Sequence, residues 1–365
     1  SRGLGDVYKR QLLCSGCGIK AENDKSKPAY RVTDATGTVV EFTGKPQKIV
    51  SMGTGSDEIL LALVTPERIA ALTYLADDAG ISAISDQAKA IKGRVQRNNL
   101  ESILSYAPDL VIVPDWGGID FVGQLRAANV KVYVHKTPNT LEDIKANIGE
   151  LAGLVGEQEH GQALQQQMDD RLAAIWTKVG KIKPEQRKKI VALSFMGPMG
   201  IKGSSFDDMC RYANIVNAIE HLDVPKNATF SEEQMLMLDP DIILVPSWDY
   251  SGTKNTGEFK RQVMTNEAYQ GIKAIRSHQV VQVHDKYLYS TSQYAVNAVE
   301  ELAEGLDEYT LTSGLSGLQI KAAKGDSFGL YGTAWKRDDQ GNYVINSKTG
   351  LRETVNNVRL GDVYP

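Results

Sequence analysis

Two tryptophans and two glutamates occupy matching places in two similar stretches of the chain, and both residue types are suited to binding. The stretch from Glu101 to Trp116 aligns without a gap with the stretch from Glu233 to Trp248. Each predicts a helix ended by Pro-Asp, then a buried strand that a second proline stops, with the tryptophan just beyond. Because ligands of open α/β sheets bind outside the carboxyl ends of the strands, Trp116 and Trp248 are predicted to wall a cleft. The alternative, that each tryptophan packs within its own half, stays open.

Three tyrosines also follow predicted strands and are further candidates for this cleft. Tyr74 comes after the apolar run 69–72, and Tyr287 and Tyr289 come after the run 280–283. Flat aromatic side chains suit a large and partly apolar ligand. The five histidines show no spacing typical of metal ligands, so the sequence predicts neither a metal site nor another resident cofactor.

The chain between its two ends alternates β-branched runs with amphipathic segments, which predicts an α/β fold. Six apolar runs predict strands at residues 48–52, 110–113, 130–134, 189–193, 241–245 and 280–283. Five segments predict helices at residues 57–64 with Ser56 as N-cap, 121–128, 141–155, 157–178 and 293–306. As one helix, residues 157–178 would be about 33 Å long, which is enough to run between two lobes.

These elements group into two Rossmann-like lobes joined by a single long helix. The N-terminal lobe is expected at residues 30–140, the linking helices at 141–184 and the C-terminal lobe at 185–308. The repeated glutamate-to-tryptophan stretch supports this division, because it places one copy in each lobe.

Both ends of the chain differ from this pattern. Residues 1–11 are interpreted as an artefact, because the pentapeptide Leu-Gly-Asp-Val-Tyr within them recurs at 360–364. Residues 12–29 resemble a bacterial lipobox, in which Cys17 would be lipidated, followed by a polar tether. A Cys-x-x-Cys redox pair of Cys14 and Cys17 is the alternative, although the strand–helix context of such a pair is missing.

Composition argues against several classes of protein. The net charge is −4 and no long Lys/Arg run is present, so nucleic acid binding is not expected. No apolar run reaches about 18 residues, so no membrane-spanning helix is expected. Three cysteines do not suggest a disulfide framework.

Residues 30–306 resemble the ABC-transporter substrate-binding proteins for siderophores, haem and cobalamin. The resemblance rests on the opening Arg-Val-Thr-Asp-Ala-Thr-Gly at 31–37 with Lys-Ile-Val-Ser at 48–51, and on residues 99–112 and 230–243. It implies two α/β lobes joined by one rigid helix, and a protein that captures a ligand and is not an enzyme.

The resemblance also implies roles for one glutamate on each lobe. Glu101 and Glu233 would pair with arginines of a permease dimer that works with an ATPase, and Glu232 is the rival of its neighbour. The alternative is that each glutamate only stabilises the N-terminus of its own helix. The receptor is expected to be a monomer, extracytoplasmic and lipid-anchored to the cell membrane.

The ligand that the resemblance implies is a ferric siderophore or a cobalamin. Arg94 and Arg97 would face the cleft and pair with an anionic siderophore, unless they are solvated. Haem is expected less, because haem-binding members of the family often carry a tyrosine in the segment 92–97 and this chain has none there.

Two further resemblances remain. The alternative function is a nucleotide-dependent two-domain enzyme, either an oxidoreductase or a glycosyltransferase. It is suggested by the glycines of residues 197–203, which follow a predicted strand. Their G-x-x-G-x-x-G spacing, however, differs from the G-x-G-x-x-G fingerprint of dinucleotide-binding loops. Residues 310–365 resemble a fragment of TonB-dependent outer-membrane receptors, with hairpin strands at 329–332 and 334–343. A foreign or poorly ordered tail is therefore expected at 309–365.

Overall fold

A computed structural model describes residues 30–96, 99–220 and 231–303, together with the backbone of two strands at 328–335 and 354–363. The strands are β1 (Tyr30–Thr33), β2 (Val39–Phe42), β3 (Ile49–Ser51), β4 (Ile69–Thr73), β5 (Gly93–Val95), β6 (Leu110–Pro114), β7 (Val132–His135), β8 (Lys189–Ser194), β9 (Gly197–Met199), β10 (Val216–Asn217), β11 (Ile242–Leu244), β12 (Val280–Val281), β13 (Phe328–Trp335) and β14 (Thr354–Val363). The helices are α1 (Thr54–Leu63), α2 (Leu100–Ser105), α3 (Ile119–Ala127), α4 (Leu141–Val155), α5 (Gln158–Val179), α6 (Ser205–Tyr212), α7 (Glu232–Leu238), α8 (Thr256–Thr265), α9 (Lys273–Arg276) and α10 (Asp285–Leu288), followed by a helix at residues 295–303.

A parallel sheet of five strands forms the N-terminal lobe, in the order β5-β4-β3-β6-β7. Every residue of β3, β6 and β7 is buried. A parallel sheet with helices on both faces buries both sides of its strands, which explains why these strands are mostly apolar on both faces. The strands predicted at 48–52, 110–113 and 130–134 are confirmed.

A second parallel sheet, β10-β8-β11-β12, forms the C-terminal lobe, and the short β9 pairs antiparallel with the last three residues of β8. The strands predicted at 189–193, 241–245 and 280–283 are confirmed, although β12 covers only the first two residues of its run. Together the two sheets confirm the predicted α/β fold with two lobes.

Two helices, α4 and α5, link the lobes. A capping box starts α4, in which the Thr140 hydroxyl accepts from the Asp143 amide while the Asp143 carboxylate accepts from the Thr140 amide. Gly156, with a φ of 76°, ends it in the left-handed conformation that favours glycine. The helix α5 then runs without a break for 22 residues, as the sequence predicted.

One apolar core extends through both lobes and the linking helices. It includes Leu60 of α1, Met168 and Leu172 of α5, Phe206 of α6 and Val299 of the helix at 295–303. Separate smaller cores fill the outer side of each sheet. Turning one lobe away from α5 would expose part of the shared core, at about 25 cal/mol per Å² of apolar surface. The linking helices therefore restrict the motion between the lobes.

The internal repeat corresponds to a backbone turn that both lobes share. Ala107 and Asp239 precede Pro108 and Pro240, and they have positive φ angles of 46° and 40°. A residue before proline is disfavoured in the right-handed helical region, so each helix ends there and the chain reverses into a strand. The repeat thus predicts the helix end and the strand that follows it.

The aspartate that follows each proline fastens its strand to a neighbour. The Asp109 carboxylate accepts from the amides of Gln47 and Lys48 at 2.7 and 2.9 Å, just before β3. In the other lobe, Asp241 accepts from the Lys189 amide of β8 at 2.8 Å. The repeated Pro-Asp pair therefore sets the register between the two central strands of each sheet.

The predicted N-cap of the first helix is wrong. Gly53 holds the N-cap position in extended backbone, and the helix begins at Thr54. The Ser56 hydroxyl instead donates to the Gly53 carbonyl at 2.9 Å and lies 2.7 Å from the Ser51 hydroxyl. Ser56 therefore stabilises the first turn from within the helix.

In the tail, β13 pairs antiparallel with β14. The strand predicted at 329–332 is thus present, and its partner is the segment 354–363. The predicted turn between 338 and 342 lies outside the described residues, as do residues 1–29 with Cys14 and Cys17.

A buried carboxyl group in α1 makes the stability of this fold depend on pH. Asp57 accepts from the amide and hydroxyl of Thr73 at 3.1 and 2.6 Å through Oδ2, while Oδ1 has no hydrogen-bond partner among the described residues. Burial, reinforced by the neighbouring Glu58 carboxyl, raises the pKa of Asp57 from 3.8 to about 7. Folding therefore takes up a proton, and this contribution to stability is lost as the pH rises toward 7.

We expect Asp57→Asn to raise the free energy of unfolding relative to wild type more at pH 8 than at pH 5, by on the order of a few kcal/mol. Asparagine keeps the acceptor for Thr73 and carries no charge to desolvate. Urea unfolding at both pH values measures the difference. Asp120→Asn, which changes an exposed carboxyl of the same lobe, is the control. An Asp57→Asn effect of equal size at both pH values would contradict the prediction.

Candidate functional site

Aromatic side chains gather at the carboxyl edge of the N-terminal sheet. Tyr74 follows β4, and Trp116 lies in a turn of 3₁₀ helix after β6. Both side chains are about half exposed, Trp116 to 49%. They line a narrow pocket of about 80 Å³ together with the start of α1 and residues that follow β5. The structure therefore brings Tyr74 and Trp116 together at this edge.

A larger cavity, of about 640 Å³, is shared by the two lobes. Tyr74, Leu75, Ile81 and Gln96 of the N-terminal lobe line it, and Tyr250 of the C-terminal lobe closes its other side. Tyr250 is 71% exposed and follows β11 in the same loop as Trp248. The size lies within the range of about 300–1,000 Å³ that holds small organic ligands. An inter-lobe gap with aromatic groups on both sides is therefore present.

Sequence reasoning missed Tyr250, although its position two residues beyond Trp248 is a signal that could have found it. The repeat drew attention to Trp248, and no aromatic residue stands at the matching place after Trp116. A comparison of the two repeated stretches can identify only residues that occur in both, so it does not find a cleft residue that one lobe alone carries.

Trp248 itself reaches across the gap and contacts the N-terminal lobe. Its indole lies against Gly80, where a Cβ atom would be only 2.1 Å from Cδ2 of the ring. Its Nε1–H donates to Oδ2 of Asp78 at 3.4 Å. Glycine is thus required beneath the ring, and Trp248 forms a contact between the lobes. It does not line the pocket or the cavity described above, so its predicted role as a wall of the cleft stays a prediction.

Asp285 holds the loop that carries this tryptophan. Its carboxylate accepts from the amide and hydroxyl of Ser247 at 3.2 and 3.1 Å and from the amide of Trp248 at 3.3 Å. Burial raises the pKa of Asp285, and the hydrogen bonds from Ser247 act in the opposite direction by stabilising the carboxylate. The start of α10 thereby fixes the backbone on which Trp248 stands.

The two other predicted tyrosines lie apart from these cavities. Tyr287 is half-buried against the shared core, with its ring edge-on to His284 and beneath the ammonium of Lys286. Tyr289 is half exposed, and its hydroxyl donates to Sδ of Met199 at 3.1 Å. Neither lines the pocket or the cavity described above.

Neither expectation for Arg94 holds. Its guanidinium pairs with both oxygens of Asp77 at 2.9 and 2.6 Å, and it also donates to the carbonyls of Ala88, Ile91 and Gly93. A guanidinium has five N–H donors, and these contacts engage all of its nitrogens. Arg94 is therefore a structural residue of the N-terminal lobe, whereas Arg97 lies outside the described residues.

A second contact between the lobes is polar and buried, and we call it the inter-lobe seam: Glu58, Ala83, Ser290, Ser292 and Gln293. The Glu58 carboxylate accepts from the hydroxyls of Ser290 and Ser292 at 3.0 and 2.5 Å and from the Ala83 amide at 2.9 Å. The Gln293 side chain donates to the Glu58 carbonyl at 3.0 Å. No sequence motif pointed to this cluster.

The two predicted docking glutamates occupy the same helical position in the two lobes. Glu101 is the second residue of α2, after the N-cap Asn99, and Glu233 is the second residue of α7, after the N-cap Ser231. Both are exposed, as is Glu232. The match in helical position favours Glu233 over Glu232 as the counterpart of Glu101.

The glycine-rich segment at 197–203 does not form a nucleotide site. Its first residues form β9, and the hydroxyl of Ser204 caps α6 by accepting from the Asp207 amide. The Asp207 carboxylate accepts from the Gly203 amide at 2.8 Å, in the place where a phosphate would need that donor. Within the described ranges, no group of three or more His, Cys, Asp or Glu could hold a metal ion.

Comparisons with known proteins agree with this arrangement. The model of the periplasmic binding protein family matches residues 46–287. An uncharacterised ABC transporter substrate-binding lipoprotein of Bacillus subtilis is 22% identical over 317 residues, which cover 81% of this chain and 93% of that protein. The family match ends before residues 310–365 and gives no support to a receptor fragment there.

Solved structures share the fold. The periplasmic haem-binding protein of Roseiflexus superimposes with a TM-score of 0.61 at 21% identity, over 72% of this chain and 98% of that one. The periplasmic vitamin B12 binding protein of Vibrio cholerae gives a TM-score of 0.55 at 20% identity, over 72% of this chain and 98% of that one.

Among the helices of the described residues, none is long and apolar enough to cross a membrane.

The family match covers most of both lobes, the linking helices and the gap between the two sheet edges. This chain belongs to the periplasmic binding protein family.

Proposed function

We propose that this protein is the substrate-binding component of an ABC importer, and that it captures a ferric siderophore or a cobalamin-type ligand between its lobes. One observation carries the proposal: the cavity of about 640 Å³ that the two lobes share, with Tyr74 on one side and Tyr250 on the other. Aromatic faces in a partly open gap suit a large ligand with flat apolar parts.

Capture requires contacts to both lobes and a limited change in their angle. Tyr74 and Trp116 would hold the ligand on the N-terminal side, and Trp248 and Tyr250 on the other. The shared apolar core opposes a wide opening, so ligand entry would involve a small hinge motion. Arg97, Tyr287 and Tyr289 remain candidate contacts for a ligand that extends beyond the cavity.

Delivery would use the exposed helix starts at Glu101 and Glu233. Each carboxylate stands at the second position of its helix, beside an exposed leucine, Leu104 or Leu236. One acid on each lobe would give a permease dimer two contact points, which depend on the angle between the lobes. Opposite charges across such an interface set registry and the rate of encounter.

The location that fits this function is the outer face of the cell membrane. Cys17, within the lipobox-like segment, would carry the lipid, and residues 19–28 would form the tether. The related protein of Bacillus subtilis is itself a lipoprotein. Partners would be a permease dimer and its ATPase, with the receptor acting as a monomer.

We expect Trp116→Ala and Tyr74→Ala to weaken binding at least tenfold, because each removes an aromatic face from the cleft. Isothermal titration with cyanocobalamin, haemin, a ferric hydroxamate and a ferric catecholate identifies the ligand and measures the loss. Trp176→Ala is the matched control, because Trp176 is equally exposed, at 50%, but lies on α5 outside the cleft. Equal losses in all three variants would contradict an aromatic cleft.

We expect the double variant Glu101→Arg with Glu233→Arg to abolish uptake in cells, because both contacts with the permease become repulsive. Ligand affinity of the purified variant should stay within about twofold of wild type, since neither residue lines the cavity. The control is Glu67→Arg with Glu185→Arg. These two exposed acids precede β4 and β8, so they lie at the amino ends of the strands, away from the carboxyl edges that face the cleft. Unchanged uptake by the first double variant would refute the docking role.

A further inference from the structure

A single carboxyl group of α1 binds parts of both lobes at once. Oε2 of Glu58 accepts from the Ser290 and Ser292 hydroxyls of the C-terminal lobe at 3.0 and 2.5 Å. Its Oε1 accepts from the Ala83 amide of the N-terminal lobe at 2.9 Å. The side chains of Glu58, Ser290 and Ser292 are buried, so water does not compete for these bonds.

Close packing surrounds these hydrogen bonds. The Gln293 amide group donates to the carbonyl of Glu58 at 3.0 Å. One turn earlier in α1, Gly55 lies against Thr291, where a Cβ atom would be 2.1 Å from Oγ1. Residues 290–293 are thus seated directly on the first turns of α1, and a shift of either lobe must disturb Glu58.

The loop of residues 78–83 connects this seam to the ligand gap. At one end, the Ala83 amide is bound by Glu58. At the other end, Asp78 and Gly80 receive the indole of Trp248. The amides of Ile81 and Ser82 donate to the Asp78 carbonyl at 3.1 and 2.8 Å, which makes the loop a compact turn. A displacement at Ala83 is therefore transmitted to the seat of Trp248.

We propose that Glu58 is a positioning residue that sets the angle between the lobes, and thereby the width of the ligand gap at Trp248. It does so by holding Ala83 of one lobe and Ser290 and Ser292 of the other on one carboxyl group. The consequence for ligand capture rests on the proposed function, whereas the control of lobe angle does not. The charge state of this carboxyl makes the angle sensitive to pH.

The electrostatic surroundings give the direction of that sensitivity. Burial raises the pKa of Glu58 from 4.5 to about 7, and the hydrogen bonds from Ser292, Ala83 and Ser290 and the charge of Lys286 act in the opposite direction. Within the part of the chain that the structure describes, Asp57 on the same helix and Tyr294, which follows the seam, also interact electrostatically with Glu58.

Opening of the seam would admit water and return the pKa of Glu58 toward 4.5. Closing therefore takes up a proton, so that the closed seam is favoured at pH 6 and loses that advantage as the pH rises through 7. The whole effect between pH 6 and pH 8 is at most about tenfold in the closing equilibrium.

Hydrogen–deuterium exchange of the full chain, without ligand, tests the proposal. The readout is the protection factor of peptides covering 78–84 and 288–296, corrected for the intrinsic pH dependence of exchange. Wild type should lose protection in both peptides by about three- to tenfold between pH 6 and pH 8. Glu58→Ala should lower it at least tenfold at both pH values, since both lobes lose their common acceptor.

Glu58→Gln separates positioning from simple packing. The amide keeps an acceptor for Ala83 and cannot ionise, so this variant should hold wild-type protection at pH 6 and show no loss at pH 8. Asp57→Asn is the matched control, because Asp57 is equally buried and bonded only to the N-terminal lobe in the described structure. It should change global stability and shift the midpoint of the pH step at 288–296 downward, because the charge beside Glu58 is lost, but it should not abolish the step.

Two results would overturn the proposal. One is wild-type protection of both peptides in Glu58→Ala; if that variant does not fold, Glu58→Gln and the wild-type pH series decide alone. The other is a Glu58→Gln variant whose protection falls between pH 6 and pH 8 as much as that of wild type. Because no ligand is present, an error in the proposed ligand class would leave these results unaffected.

Discussion

The apolar core that α4 and α5 share with both lobes is the constraint on which this structure depends. Met168 and Leu172 of α5 lie in the same core as Leu60 of one lobe and Phe206 of the other. Such a core resists shear because closely packed side chains have few alternative arrangements. The carboxyl edges of the two sheets are thereby held toward one gap. Small changes in the angle between the lobes are the motion that costs least free energy.

Within that limit, the lobes touch in two chemically different ways. The contact at Glu58 is buried and hydrogen-bonded, whereas Trp248 rests on Gly80 at the half-exposed rim of the gap. The buried contact resists separation, because breaking it leaves unsatisfied polar groups. The aromatic contact is easier to separate, because it would lose only one long hydrogen bond, to Asp78, and some packing against Gly80.

The internal repeat has a physical explanation in the turns that precede β6 and β11. Each lobe ends a helix at a residue of positive φ, places a proline after it, and uses the next aspartate to fasten the strand to its neighbour. The same geometry brings Glu101 and Glu233 to equivalent exposed positions at the starts of the two helices. One local solution, used twice, therefore accounts for both the sheet register and the paired acids.

The sequence alone predicted six strands of the two sheets, the long helix α5 and the two-lobed fold, because apolar periodicity and Pro-Asp turns act over a few residues. The family was indicated by the resemblance of several short segments. It also predicted Tyr74, Trp116 and Trp248 as cleft residues because they follow strands; the structure places the first two on one pocket and Trp248 against Gly80. Only the tertiary structure brought Glu58 against Ser290 and Ser292, placed Tyr250 at the inter-lobe cavity, and paired Arg94 with Asp77 within the N-terminal lobe. Glu58 and Ser290 are 232 positions apart, and Trp248 and Asp78 are 170 apart. Contacts at such separations depend on how whole lobes pack, and a local pattern of residues carries no information about that angle.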